Sequence, residues 1–129
     1  MFVGVARFVL QIPGARSLKD RRRVVRSFKD RVRARLPVSV AEVGELDRYQ
    51  VATFGIATVS NDSARCREVL AQARSVAATL GDALLADAAV EVLPFGGGGK
   101  GVEGGIERAL DAEGRDEWQA EPSDQEEHR

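Results

Sequence analysis

Hydrophobic residues alternate with period two along Phe2 to Ile12, where Phe2, Ala6, Phe8, Leu10 and Ile12 form one apolar face of a strand. The opposite face carries Val3, Val5 and Val9 beside Arg7 and Gln11, so the back of the resulting sheet is also fairly apolar. Pro13-Gly14 ends the strand by turn chemistry. The period then changes. Ser17, with Asp20 three residues on, approaches a capping box, and Leu18, Val25, Phe28, Val32 and Leu36 share one helical stripe that Pro37 closes. Val38 to Val43 predicts a second strand and Tyr49 to Val59 a third, rich in β-branched residues. The short connection Gly44-Glu45-Leu46-Asp47-Arg48 implies a hairpin, so these two strands run antiparallel.

Ser60-Asn61-Asp62 supplies N-cap chemistry for a second helix, whose stripe is Cys66, Val69, Leu70, Ala73, Ala77 and Leu80 and which Gly81 is expected to stop. Ala88 to Phe95 predicts a fourth strand. The order β-α-β-β-α-β is the split βαβ arrangement, an α+β ferredoxin-like fold with a four-stranded antiparallel sheet and two helices on one face. Residues 1–95 form this domain and the Gly-rich stretch 96–105 a linker. Residues 106–129 form an acidic tail expected to be disordered, with a short helix possible around Val102 to Leu110.

Charge changes the picture more than composition does. The net charge of −1 conceals a polarity: residues 1–60 hold 12 Lys/Arg against 5 Asp/Glu, and residues 61–129 hold 7 against 15. The cations concentrate on the first helix. Lys19, Arg22, Arg23, Arg26, Lys29 and Arg33 fall within a stripe about a third of the circumference wide, interrupted by Asp30. Arg22–Arg26 and Lys29–Arg33 are like-charge i,i+4 pairs, as is Arg31–Arg35, each costing about 0.2–0.5 kcal/mol. Such self-repulsion makes sense if a polyanion neutralises it, which points to RNA phosphates; an ordinary solvated basic face is the plainer alternative. Arg21 and Arg35 project to the apolar side, where they snorkel or pair with a carboxylate such as Glu42.

Base readout by the sheet is not expected, because Gln50 to Ile56 of strand three offers one aromatic, Phe54, with no basic-Gly-aromatic signature, and strand one offers Phe8 on its core face. Gly96-Gly97-Gly98-Gly99-Lys100-Gly101 fails as a P-loop: Pro94 stands where the first Gly belongs and Gly101 where Ser or Thr should hold magnesium. His128, the one histidine, lies near the tail's end, and Cys66 belongs to a core stripe. Glu42, Glu45 and Asp47 cluster near a turn, where surface solvation explains them better than acid–base work. No catalytic residues, no metal set and no cofactor are expected, so the chain is expected not to be an enzyme. A single Cys and no stretch long enough to span a bilayer fit a cytoplasmic protein without a signal peptide or a membrane partner.

The runs Leu10 to Arg22 and Val38 to Val43, with Val59-Ser60-Asn61-Asp62, resemble the YlxP-like family of small bacterial proteins over about residues 1–93. The resemblance implies a ferredoxin-like fold. It also implies genes lying beside those for translation initiation factor two and ribosome-binding factor A, hence a role in translation or small-subunit maturation. The Gly-rich connector and acidic tail depart from the family pattern. Ribosomal RNA or the small subunit is therefore the expected partner, through Lys19, Arg22, Arg23, Arg26, Lys29 and Arg33, with the acidic tail able to shield them. Two alternatives stand beside it. One is a small-molecule-binding domain resembling the ACT type, which shares the Pro-Gly turn but usually has an acidic residue where Gln11-Ile12 stands. The other is a homodimer packed through Val3, Val5 and Val9.

Overall fold

In a computed structural model that describes residues 1–44 and 48–96, the elements run β1 (Phe2–Gln11), α1 (Leu18–Arg35), β2 (Ser39–Val43), β3 (Val51–Ser60), α2 (Ser63–Ala78) and β4 (Leu84–Pro94). Met1–Pro94 forms one compact unit. The Gly-rich segment beyond Gly96, the helix expected around Val102 to Leu110, the acidic tail with His128, and Glu45 and Asp47 lie outside the described residues.

All four strands pair antiparallel in the order β2-β3-β1-β4. The register sets one face against the helices. Phe8 stands opposite Phe54 and Ala88, and Ala6 opposite Ile56 and Val90. The core closes where α1 lays Phe28 between the sheet's aromatics: its ring centroid is 4.7 Å from that of Phe54 and 6.5 Å from that of Phe8, the latter edge-on. Val24, Val25 and Val32 from α1, and Leu70, Ala73, Val76 and Ala77 from α2, complete it. Gly4 permits α2 to approach β1, since a Cβ there would come within 3.0 Å of Leu70 Cδ1 and 3.1 Å of Cys66 Cβ. Cys66 is buried, as its stripe predicts.

Several boundaries differ from those the sequence predicts. β4 begins at Leu84 rather than Ala88. Its first half lacks β-branched residues, and the register with β1 shifts between Val9 and Leu10, leaving Ala86 without an opposite number and breaking the alternation. β3 runs Val51–Ser60 rather than Tyr49–Val59. Leu18, the first residue of the helix, leaves the core stripe and is 43% exposed; Val24 takes a core place the wheel did not give it. The second helix stops before Gly81: Thr79 is its C-cap, its N–H directed at the carbonyls of Ser75, Val76 and Ala77. Gly81 is not left-handed, so it is no Schellman glycine.

The α1 start follows its predicted chemistry with one change. Ser17 Oγ accepts from the Asp20 N–H at 3.2 Å, and the Asp20 carboxylate accepts from the Arg16 N–H at 2.9 Å, one residue earlier than a strict capping box.

Candidate nucleic-acid interface

Phe28, Val25 and Val32 turn one side of α1 to the sheet, which fixes what the other side shows. Lys19, Arg22, Arg23 and Arg26 come together there, lining a shallow groove with Ser27 and Asp30. Among the described residues none of these four cations has a carboxylate within ion-pair reach, whereas Arg7, Arg21 and Arg65 each have one. The groove thus sets four cations against one carboxylate, Asp30, with which none of them forms an ion pair among the described residues.

The two remaining expected residues are placed differently. Lys29 is half-buried at the flank of the helix. Arg33 is directed to β2, where its guanidinium donates to the Val40 carbonyl at 3.2 Å. The bond completes an acceptor on the sheet's edge strand, giving Arg33 a structural task beside any contact with a partner.

Arg21 resolves an alternative the helical wheel leaves open. It is buried, its Nε donates to the Val51 carbonyl at 3.0 Å, and its guanidinium pairs with Glu42. Glu42 stands opposite Phe54 in the register, on the helix side of the sheet. β2 covers β3 only from Thr53 to Ala57, so Arg21 serves an acceptor beyond the reach of β2. Glu42 is therefore a structural partner of α1 rather than a solvated turn residue. Arg35, also on the apolar side of the wheel, is exposed.

At the N-terminal end of α1 the basic groove adjoins a half-open cleft of about 510 Å³. Its exposed apolar lining comes from Pro13 and Leu84, over a floor of Ile12, Ala15, Val24 and Ala83 that is buried. Asp20, Arg23 and Asp82 supply its charges. Arg23 belongs to both cleft and groove. Gln50 holds the β1–α1 turn in place: its side-chain amide donates to the Ala15 carbonyl at 3.3 Å, and its backbone carbonyl accepts from the Ile12 N–H at 2.8 Å. The sequence offered no sign of this cleft, because its walls come from two turns some 65 residues apart that β1–β4 pairing brings together. The one readable trace was the presence of glycine in each turn, Gly14 and Gly81.

The opposite, helix-free face of the sheet presents Val3, Val5 and Val9 half-buried, with Val59 and Leu93 exposed. Arg7 and Asp87 form an exposed ion pair across it at 3.2 Å. No helix among the described residues is long and apolar enough to cross a membrane.

Residues 3–90 match the model of a family described as protein of unknown function, DUF503. The chain belongs to the DUF503 family. A relative within reach by sequence is the uncharacterized protein YlxP of Bacillus subtilis (strain 168), 35% identical over 68 residues that cover 53% of this chain and 74% of YlxP. Among solved structures, the de novo designed protein Foldit4 is similar, at 13% identity and a TM-score of 0.45, covering 73% of this chain and 98% of the design. Ferredog-Diesel, also a de novo design, is 12% identical with a TM-score of 0.40, covering 69% and 83%. The DUF503 match spans α1, the basic groove and β4 as far as Val90.

Proposed function

We propose that this DUF503 protein is a non-catalytic RNA- or ribosome-associated accessory factor, acting in translation or small-subunit maturation and gripping phosphates through the outer face of α1. The observation that carries this reading is the groove in which Lys19, Arg22, Arg23 and Arg26 gather without carboxylate partners among the described residues. Like charges held together on a rigid helix repel one another, and a polyanion removes that cost while releasing its own counterions. Lys29 and Arg33 flank the groove and extend the basic track toward the C-terminal end of the helix. The gene neighbourhood implied by the YlxP-like resemblance supports a ribosomal setting.

The test is co-sedimentation with ribosomal subunits at low and moderate salt, comparing the native chain with Arg22→Glu/Arg23→Glu/Arg26→Glu. Small-subunit association that the charge reversals abolish is expected. For a single-stranded target, three or four engaged side chains give a log–log salt slope of about −2 to −3, at roughly −0.7 per phosphate. No association even at low salt would overturn the reading.

A second reading has its own observation. The helix-free sheet face carries Val3, Val5, Val9, Val59 and Leu93; its Arg7 and Asp87 neutralise each other, and Glu91, opposite Val5, is a further exposed charge on it. A second copy of this chain, presenting the same face about a two-fold axis, covers that surface as a homodimer. Dimerisation and RNA contact use opposite sides of the fold and are compatible.

A further inference from the structure

The cleft at the N-terminal end of α1 has features that phosphate binding alone does not use. Its lining mixes apolar and polar surface, its rim carries two carboxylates, and one of its side chains, Arg23, also belongs to the basic groove. A strand of RNA lying along Lys19, Arg22 and Arg26 therefore passes the mouth of a slot of about 510 Å³, a volume within the ordinary range for a small-molecule site.

We infer that the slot takes one unpaired nucleobase of the RNA held on α1, with guanine preferred. The inference rests on the phosphate-binding reading of the groove and adds to it a site for the base. A nucleobase matches the slot chemically: its faces are apolar and planar, its edge polar. Leu84 and Pro13 offer an exposed apolar surface over the buried Ile12, Ala15 and Val24, and the guanidinium of Arg23 offers the stacking partner that the sheet, poor in aromatics, does not. Asp20 and Asp82 are exclusively acceptors when ionised. Asp20 already accepts the Arg16 N–H, which leaves Asp82, exposed on the α2–β4 turn, as the freer acceptor. A carboxylate rim favours a base edge with adjacent N–H donors. Guanine, with its ring N–H and exocyclic amine side by side, fits; uracil, with one N–H between two carbonyls, does not.

The two turns permit a clean test. Gly14 and Gly81 both line the cleft, a Cβ at either meets no atom within 4 Å, and neither backbone is left-handed. Gly81→Phe and Gly14→Phe each set a ring at the wall of the slot where the first side-chain atom meets no obstacle, and unchanged melting temperatures verify that the fold is intact. The probes are fluorescent oligouridylates of one length, carrying at a central position guanosine, uridine or an abasic ribose. The native chain is expected to bind the guanosine oligonucleotide about tenfold more tightly than the abasic one. Either Phe variant removes that difference and leaves abasic binding unchanged. Arg22→Glu/Arg26→Glu weakens all three probes together.

Equal binding of the three probes by the native chain, or a guanosine advantage that survives both Phe variants, overturns the slot and leaves the groove reading standing. Failure of the native chain to bind any probe or a ribosomal subunit overturns the groove, and the slot with it. A titration of the native chain with guanosine monophosphate gives an independent readout: amide shifts are expected at Gly14, Gly81 and Ala83, and their absence at millimolar nucleotide counts against the slot.

Discussion

The two helices perform the same structural task and present different exteriors. Both lie on one face of the sheet, and both bury a stripe in a shared core: Val24, Val25, Phe28 and Val32 from α1, and Leu70, Ala73, Val76 and Ala77 from α2. Outward, α2 shows small residues, an Arg65–Glu68 pair at 3.0 Å, and scattered cations at Arg67 and Arg74. α1 gathers Lys19, Arg22, Arg23 and Arg26 along one groove. Packing asks nothing of either exterior, so the fold does not explain the difference. A helix that needs only to be soluble resembles α2; the charge on α1 is a surplus over that need.

The comparison breaks first at the anchors. Phe28→Ala removes the ring wedged between Phe8 and Phe54, and large-to-small changes of this kind cost about 3–5 kcal/mol. Urea unfolding is expected to show that loss, with RNA affinity of the remaining folded fraction unchanged if α1's outer face acts independently of its inner one. Next is the strut beneath the groove. Glu42→Ala leaves the buried Arg21 guanidinium without its carboxylate and is expected to cost about 3 kcal/mol, while Arg21→Met/Glu42→Leu recovers most of it. A double variant as unstable as the single one would mean that the Val51 bond, rather than charge burial, dominates. The smallest effect is the sharpest contrast. Arg67→Glu/Arg74→Glu on α2 changes the net charge by −4 yet is expected to alter ribosome association less than about twofold, because exposed charges beyond a Debye length of about 10 Å are screened. A loss equal to that of the α1 reversals would show that overall charge, not the groove, governs binding.

Much of the architecture was legible because local chemistry and periodicity agreed. Ser17 and Asp20 marked the start of α1, Asp62 that of α2, and the alternation of Phe2 to Ile12 separated the core face of β1 from its back. Legibility failed wherever a long-range register decided. The early start of β4 depends on pairing with β1 across a bulge, which no window of neighbouring residues contains. Glu42 was nameable as a partner of Arg21, but the choice between pairing and snorkelling depends on Glu42 facing Phe54, and so on which side of β2 turns inward. In the candidate site, the basic stripe was visible as a stripe. The departure of Arg33 toward the Val40 carbonyl was not, because the acceptor belongs to a sheet edge that exists only once β2 is in place.

β1 lies in the interior of the sheet although it is made first. On one side it pairs with β3, and on the other Phe2 pairs with Pro94. A ribosome adding about 5–20 residues per second takes on the order of ten seconds to pass from the end of β1 to the end of β4. Throughout that interval one edge of an apolar strand waits without its partner. The nascent chain is thus most vulnerable to premature pairing just before β4 emerges, and a transcript truncated within β4 releases a three-stranded product whose exposed edge is β1, the strand meant for the interior.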